Sequence, residues 1–200
     1  MRRERLLAVA VIVLSIMACS REKKVDWSAP ENFFYYETSA NVDHGVELTY
    51  WALVDAPTDA VYTALADVEH YMQFVDGVDR TRLLSGSSNT KTIQIAQRVI
   101  GRQNNAQVKW TFFPEARKIE FKTEQSDLYY NEGGYEVIPS PDGKRTLVKV
   151  TFIVKESEHV SIPKGVLASG TRDSFGAAAK SIKKRALEIG AGKARQAGAS

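Results

Sequence analysis

Alternating apolar and polar residues fill the middle of this chain and predict an antiparallel β-sheet. In residues 46–54, for example, Val46, Leu48 and Tyr50 share one face of an extended strand. Turns rich in Pro, Gly, Ser and Asn separate the later segments. These segments are residues 78–85, 90–100, 106–113, 118–123, 128–138 and 146–155. Because one face of the strands is apolar, we predict a sheet of about seven strands with one buried face.

Two short helices are predicted after the first strand. The sequence Ala56-Pro57-Thr58-Asp59 ends that strand and begins a helix, because proline is tolerated in a first turn and Asp59 favours the positive end of the helix dipole. Asp67 can cap a second short helix over residues 68–75, and Gly77 can end it.

A long C-terminal helix is predicted from Pro163 to about Glu188. Its central part is rich in glycine and alanine, which on a face toward a sheet leave space unfilled. We therefore predict a cavity between this helix and the sheet. The alternative is close packing of the helix backbone on the sheet. Residues 191–200, which are also rich in Gly and Ala, are expected to be disordered.

Three motifs resemble those of a known superfamily. Residues 54–62 read Val-Asp-Ala-Pro-Thr-Asp-Ala-Val-Tyr, and Asp67 and a Tyr-x-x-Phe-x-x-x-Val element at 71–78 follow them. Residues 134–139 match a strand that ends in proline, with Tyr135 where the family often has tryptophan. Over roughly residues 44–190 the chain resembles the START-like, or SRPBCC, superfamily of lipid-transfer domains, coenzyme Q-binding proteins and polyketide cyclases.

The resemblance implies an α+β helix-grip fold, in which a curved antiparallel sheet of about seven strands wraps around a long C-terminal helix. It also implies a hydrophobic small-molecule or lipid ligand inside the cavity. The matching residues mostly form turns and core, so they identify a fold and leave the ligand open.

Candidate ligand-binding residues are those that the strand alternation and the helix spacing direct toward the cavity. They are Trp110, Phe112, Tyr129, Asn131, Tyr135, Val150, Phe152, Leu167, Gly170 and Phe175. Each aromatic residue could instead be ordinary core. Asn131 is more informative, because an inward amide needs a polar partner such as a ligand oxygen, a water or a tyrosine hydroxyl. A β-bulge at Gly133-Gly134 would reverse its direction.

The N-terminal residues predict export and lipid attachment. Arg2, Arg3 and Arg5 precede an apolar run over residues 6–17, and Cys19 is the only cysteine. The run is shorter than the roughly 20 residues of a membrane-spanning helix. Residues 1–19 resemble a bacterial lipoprotein signal, which implies acylation of Cys19 and a position facing the periplasm. In such proteins a residue other than aspartate after the cysteine, here Ser20, implies the outer membrane. An ordinary signal peptide is the alternative. We interpret residues 20–43 as a tether.

Charge gives little indication of a macromolecular partner. The formal net charge of +3 falls to about +1 without residues 1–19. A nearly neutral surface lacks the concentrated basic face of a nucleic-acid-binding protein, so we predict no nucleic-acid partner. Lysines and arginines between residues 180 and 195 could contact anionic lipids, or they could form a solvated helix face. We predict a monomer.

Catalytic motifs are sparse. His44, His70 and His159 are scattered, and no cysteine pair is present, so we predict no metal and no cofactor. The Ser-x-x-Lys match at residues 181–184 lies on a helix with frequent lysines, which indicates a solvated face.

Three functions are compatible with these observations. The preferred one is membrane-anchored binding or transfer of a lipid-like molecule. The second is a cyclase- or hydrolase-type enzyme acting in the same cavity, with Tyr129, Tyr135 and His70 as acid–base candidates. The third is an envelope protein-interaction module with a filled core.

Overall fold

The structure is a computed structural model that describes Trp27 and residues 34–42, 45–99, 101–158 and 160–197, with backbone only for 34–42 and 193–197. The predicted signal with Cys19 lies outside the described residues, and so do His44 and His159. Their interpretation remains a prediction.

Eight antiparallel strands form one sheet. In chain order they are β1 (Phe34–Val42), β2 (Gly45–Val54), β3 (Val78–Gly86), β4 (Thr90–Val99), β5 (Arg102–Phe113), β6 (Lys118–Ser126), β7 (Tyr129–Pro139) and β8 (Thr146–Glu156). Their order across the sheet is β1-β2-β8-β7-β6-β5-β4-β3. From β3 to β8 the strands follow one another as a meander, and β8 then pairs with β2. The predicted helix-grip fold is confirmed, with one strand more than we predicted.

The additional strand, β1, corrects the boundary of the tether. It lies within the predicted tether of residues 20–43 and pairs with β2 in the register Phe34↔Ala52 to Val42↔Gly45. Its Phe-Tyr-Tyr start has a high preference for strands. The folded region therefore includes residues before position 44.

Helices follow β2 and β8. The first two are α1 (Thr58–Ala66) and α2 (Tyr71–Phe74), joined by a short 3₁₀ turn, Val68–His70. The Pro57 carbonyl accepts hydrogen bonds from the Ala60 and Val61 N–H groups at 3.0 and 3.2 Å, which fixes the start of α1. The side chain of Asp67 makes no cap hydrogen bond, contrary to our prediction. It lies 2.5 Å from Nδ1 of His70 instead.

The C-terminal helix, α3 (Lys164–Ala197), is longer than predicted. It continues into residues 191–197, which we expected to be disordered, because alanine, lysine, arginine and glutamine all favour helices. Leu167, Ile182 and Ala186 are its buried hydrophobic residues. Among the helices in the described ranges, none has both the length and the apolar character needed to cross a bilayer.

Gly133 allows two aromatic rings from neighbouring strands to meet on the inner face of the sheet. It pairs with Phe121 on β6 and with Phe152 on β8. Those strands lie about 10 Å apart, yet the two ring centroids are only 6.1 Å apart. A Cβ atom at position 133 would lie 2.2 Å from the Thr151 carbonyl oxygen and 2.3 Å from the Phe152 Cβ. Only glycine therefore fits beneath this ring pair.

Candidate functional site

A cavity of about 100 Å³, the main cavity, lies between α3 and the inner face of strands β3–β7. The residues that define its shape are Val108, Trp110, Phe121, Tyr129, Tyr135 and Phe175. A cleft of about 470 Å³, the mouth, shares Val75, Val78, Gln97, Ser174 and Ala178 with it. The main cavity thus has an adjoining route toward solvent between β3, β4 and the N-terminal half of α3.

A smaller space of about 40 Å³, the side chamber, lies toward β2, β8 and α1. Its lining includes Tyr50, Leu65, Val148, Val150 and Ile182. Tyr135, Phe175 and Ala178 line both this chamber and the main cavity. These three side chains therefore form the partition between the two spaces.

The volumes limit what the interior can hold. An apolar cavity of about 150 Å³ can bind benzene, whereas ligand pockets usually measure about 300–1,000 Å³. At about 100 Å³ the main cavity is smaller than a benzene-binding cavity, so on its own it suits only a short alkyl chain. A larger ligand must extend into the mouth or displace the partition.

Stacked aromatic rings form the partition and the wall. Phe175 stacks on Phe152 with ring centroids 4.3 Å apart, and on Tyr50 at 5.8 Å. Trp110 contacts the edge of Tyr71 at 6.0 Å and stacks on Tyr135 at 6.5 Å. Aromatic faces of this kind offer large apolar contact areas to a ring or a chain.

One end of the main cavity is polar. Asn104 is fully buried, and its Oδ1 accepts hydrogen bonds from Ser126 Oγ at 3.0 Å and from the Leu128 N–H at 3.1 Å. Gln97 lies directly opposite Asn104 on β4, and its Nε2 donates to the Tyr129 hydroxyl at 2.7 Å. The Nδ2 of Asn104 lies near the Tyr129 hydroxyl but makes no hydrogen bond of normal geometry to any described residue. We call Gln97, Asn104 and Tyr129 the polar end.

Burial keeps the phenols of this region protonated. It raises the pKa of Tyr129 to about 12, although the neighbouring Gln97 and Asn104 amides oppose the rise. Burial also raises the pKa of Tyr135 and that of Tyr71 well above the ordinary tyrosine value. The Tyr71 hydroxyl donates to the Leu65 carbonyl at 2.6 Å. At neutral pH these groups therefore donate hydrogen bonds and do not act as bases.

Five of the ten predicted ligand-binding residues meet at the main cavity: Trp110, Tyr129, Asn131, Tyr135 and Phe175. Val150 lines the side chamber, and Gly170 lines the mouth. Phe112, Phe152 and Leu167 are buried but line none of these three spaces.

Asn131 has a protein partner. The pairing of β7 with β8 runs through Gly133 and Gly134 without a register shift, so Asn131 and Tyr135 lie on the same face. Thr123 Oγ1 donates a hydrogen bond to Asn131 Oδ1 at 2.5 Å. The oxygen of this amide is thus occupied within the sheet.

Sequence reasoning missed the two amides of the polar end. Our predicted strand began at Ala106, whereas β5 begins at Arg102, so Asn104 continues the inner face of Ala106 and Val108. Gln97 follows Ile93 and Ile95 on the inner face of β4. Gln97 already lay within our predicted strand 90–100, where continuing the alternation of Ile93 and Ile95 would have identified it, and beginning β5 two residues earlier would have identified Asn104.

His70, one of our acid–base candidates, does not line the main cavity. Its side chain is exposed and lies beside Asp67. The described residues include no group of three or more His, Cys, Asp or Glu side chains that could hold a metal ion.

Comparison with known proteins supports this architecture. Residues 54–180 match the family described as polyketide cyclase / dehydrase and lipid transport. No curated protein matches the chain.

Solved structures with similar folds have low sequence identity. The ZhuI aromatase/cyclase from Streptomyces sp. R1128 is 17% identical, with 72% of this chain and 94% of that chain covered and a TM-score of 0.66. A START superfamily protein from Mycobacterium smegmatis is 17% identical, with 72% and 98% covered and a TM-score of 0.59. A STAR-related lipid transfer protein from Xanthomonas axonopodis is 13% identical, with 76% and 98% covered and a TM-score of 0.55. At these identities the similarity establishes the fold alone.

Proposed function

Because the chain belongs to the polyketide cyclase / dehydrase and lipid transport family, we propose that it binds a hydrophobic small molecule between the sheet and α3. The START-like resemblance predicted this membership. The observation that carries the proposal is the main cavity, which has aromatic walls, a polar end and an adjoining mouth. Burial of apolar ligand surface supplies affinity at about 25 cal/mol per Å².

Ala178 offers the sharpest test, because it lines the main cavity, the side chamber and the mouth. In Ala178→Leu the added side chain enters space that a ligand would occupy. Ala191→Leu adds the same atoms at an exposed position of the same helix and serves as the matched control.

The full chain and both variants would be purified from native membranes, and noncovalently bound small molecules would be measured by mass spectrometry. We expect the wild type and Ala191→Leu to retain the same hydrophobic compound, and Ala178→Leu to retain about tenfold less. Equal retention by all three proteins, or no bound compound in any of them, would contradict binding in this cavity.

We further propose that the protein is anchored through an acylated Cys19 and faces the periplasm, with the outer membrane favoured. The arginines, the apolar run and the single cysteine of the N-terminal segment support this proposal. An anchor raises the local concentration of the cavity beside a membrane source of ligand. Cys19→Ser should move the protein from the membrane fraction to the soluble fraction, and unchanged fractionation would contradict the anchor.

A cyclase-type enzyme is the second candidate, and the protonated phenols of Tyr129 and Tyr135 at the main cavity favour it. Such phenols could donate hydrogen bonds or protons to a bound carbonyl. Incubation with an aromatic polyketide-like substrate distinguishes the two functions. A product whose formation is lost in Tyr129→Phe supports the enzyme, whereas recovery of unchanged substrate supports the carrier.

A further inference from the structure

We propose that the ligand presents an uncharged, hydrogen-bond-accepting oxygen, such as a ketone or ester carbonyl, to the Asn104 amide at the polar end. This inference rests on the proposed function, because it specifies the chemistry of a ligand for the same cavity. It goes further by assigning one atom of the protein as the recognition group.

The orientation of the Asn104 amide is determined by its neighbours. The Leu128 N–H can only donate, and it lies 3.1 Å from Oδ1. Exchanging the amide oxygen and nitrogen would place two donors against each other, so Oδ1 must face Leu128. The Nδ2 group consequently points away from Leu128; it is fully buried and lies near the Tyr129 hydroxyl, but it makes no hydrogen bond of normal geometry to any described residue.

The buried polar atoms of the main cavity that lack a hydrogen bond to any described residue are donors. Of the described residues that line it, two have buried side-chain polar atoms without a partner, Asn104 Nδ2 and Trp110 Nε1, and both atoms are N–H donors. The Tyr129 hydroxyl accepts from Gln97, which leaves its own proton to donate. An unsatisfied buried donor is unfavourable, so a ligand oxygen that accepts a hydrogen bond from it would remove that cost.

The recognised group should be uncharged. None of the described residues that line the main cavity is Asp, Glu, Lys, Arg or His. A carboxylate or an ammonium group would be desolvated there without an opposite charge, which is strongly unfavourable. A carbonyl oxygen accepts a hydrogen bond at a much lower desolvation cost.

The position of the polar end sets the direction of the ligand. Gln97 lines both the main cavity and the mouth, and it lies opposite Asn104 in the sheet. A carbonyl at Asn104 is therefore close to the entrance. The apolar part of the ligand would extend along Ala106 and Val108 toward Trp110.

A matched set of aromatic probes tests the inference with the full chain in detergent, without any change to the protein. Acetophenone, isopropylbenzene, benzoate and benzamidinium have the same number of non-hydrogen atoms, but they present a neutral acceptor, no polar group, an anion and a cationic donor. Calorimetric titration should rank acetophenone first, about tenfold tighter than isopropylbenzene. Benzoate and benzamidinium should bind more weakly than acetophenone.

Nuclear magnetic resonance of the side-chain amides provides a second measurement. Acetophenone should shift the Asn104 NH₂ resonances, and isopropylbenzene should not. Asn104→Leu should reduce the preference for acetophenone over isopropylbenzene to less than about twofold. Gln103→Leu, at an exposed position of the same strand, should retain it.

The outcomes separate this inference from the proposed function. Equal affinity for acetophenone and isopropylbenzene, with no shift at Asn104, would overturn the inference while leaving hydrophobic binding intact, and it would indicate that water satisfies the amide. Tighter binding of benzoate than of acetophenone would overturn the inference that the recognised group is uncharged. Failure of every probe to bind, together with no compound in the native protein, would overturn the proposed function itself.

Discussion

The two halves of α3 meet the sheet in different ways. The C-terminal half is anchored: Ile182 and Ala186 are buried, and a Cβ on Gly190 would lie in ordinary contact with Pro57 and Ala60. The N-terminal half borders the internal spaces, since Ser174 and Phe175 line the main cavity and Gly170 lines the mouth, while Leu167 packs into the core. Both halves therefore contribute to the core, but the N-terminal half, which we call the open half, is the one that lies beside the main cavity and the mouth.

Truncating a side chain in each half should give the largest difference. Ile182→Ala removes a buried side chain from the anchored half and should lower the free energy of unfolding by about 2–5 kcal/mol. Val166→Ala truncates a side chain that is 43% exposed and should change the free energy of unfolding by less than about 0.5 kcal/mol. Chemical denaturation of both variants measures the contrast. Equal losses would show that Val166 contributes to packing as much as Ile182 does.

Alkaline pH should weaken the part of the sheet beside the main cavity through Tyr129 on β7. Its folded pKa of about 12 lies above the ordinary 10.0, so burial of the neutral phenol contributes stability below pH 10 that is lost as the pH rises toward 12. The shift corresponds to about 2–3 kcal/mol. Denaturation at several pH values should show a smaller loss between pH 10 and 12 for Tyr129→Phe than for the wild type. An identical loss of stability in the two proteins would show that ionisation of Tyr129 does not contribute to alkaline destabilisation.

Removing the partition should merge the two internal spaces. Phe175 is only partly buried, so Phe175→Ala should cost about 2 kcal/mol, less than a fully buried phenylalanine. The variant should bind ligands that are one ring larger than those of the wild type, as measured by calorimetry with aromatic compounds of increasing size. If the size limit does not change, Phe175 does not control the capacity of the interior.

A substitution in the open half should raise stability slightly. Gly176→Ala adds a methyl group where no atom interferes, and alanine is favoured over glycine in a helix by about 1 kcal/mol. We expect an increase of that size in the free energy of unfolding. Gly133→Ala is the opposite case and should destabilise strongly, because its Cβ would collide with β8. A loss of stability in Gly176→Ala would indicate close packing at that glycine.

The sequence predicted the parts of the structure that follow from local patterns. Alternation identified β2–β8, and proline at the starts of α1 and α3 located both helices. The inward direction of Trp110 and Tyr135 follows from the same alternation.

The contacts that hold Asn104 inside the sheet could not be predicted in the same way. Asn104 disfavours strands by intrinsic preference, and it is held inside by Ser126 and Leu128, which are 22 and 24 residues away in the chain. Asp67 shows the same limit, since its neighbour His70 and the distant Arg185 take the place of the predicted cap contact. Contacts of this kind arise only once the strands and helices have assembled.

The ring pair above Gly133 has a mechanical consequence. Phe121 and Phe152 are in contact across β7. Their contact holds strands β6, β7 and β8 together on the inner face of the sheet, so these strands resist separation. Any expansion of the interior around a bulky ligand must therefore come from movement of α3, whose residues 164–178 contact the sheet mainly through Leu167 and Phe175. We expect residues 164–178 to shift more than the sheet does when a ligand enters the interior.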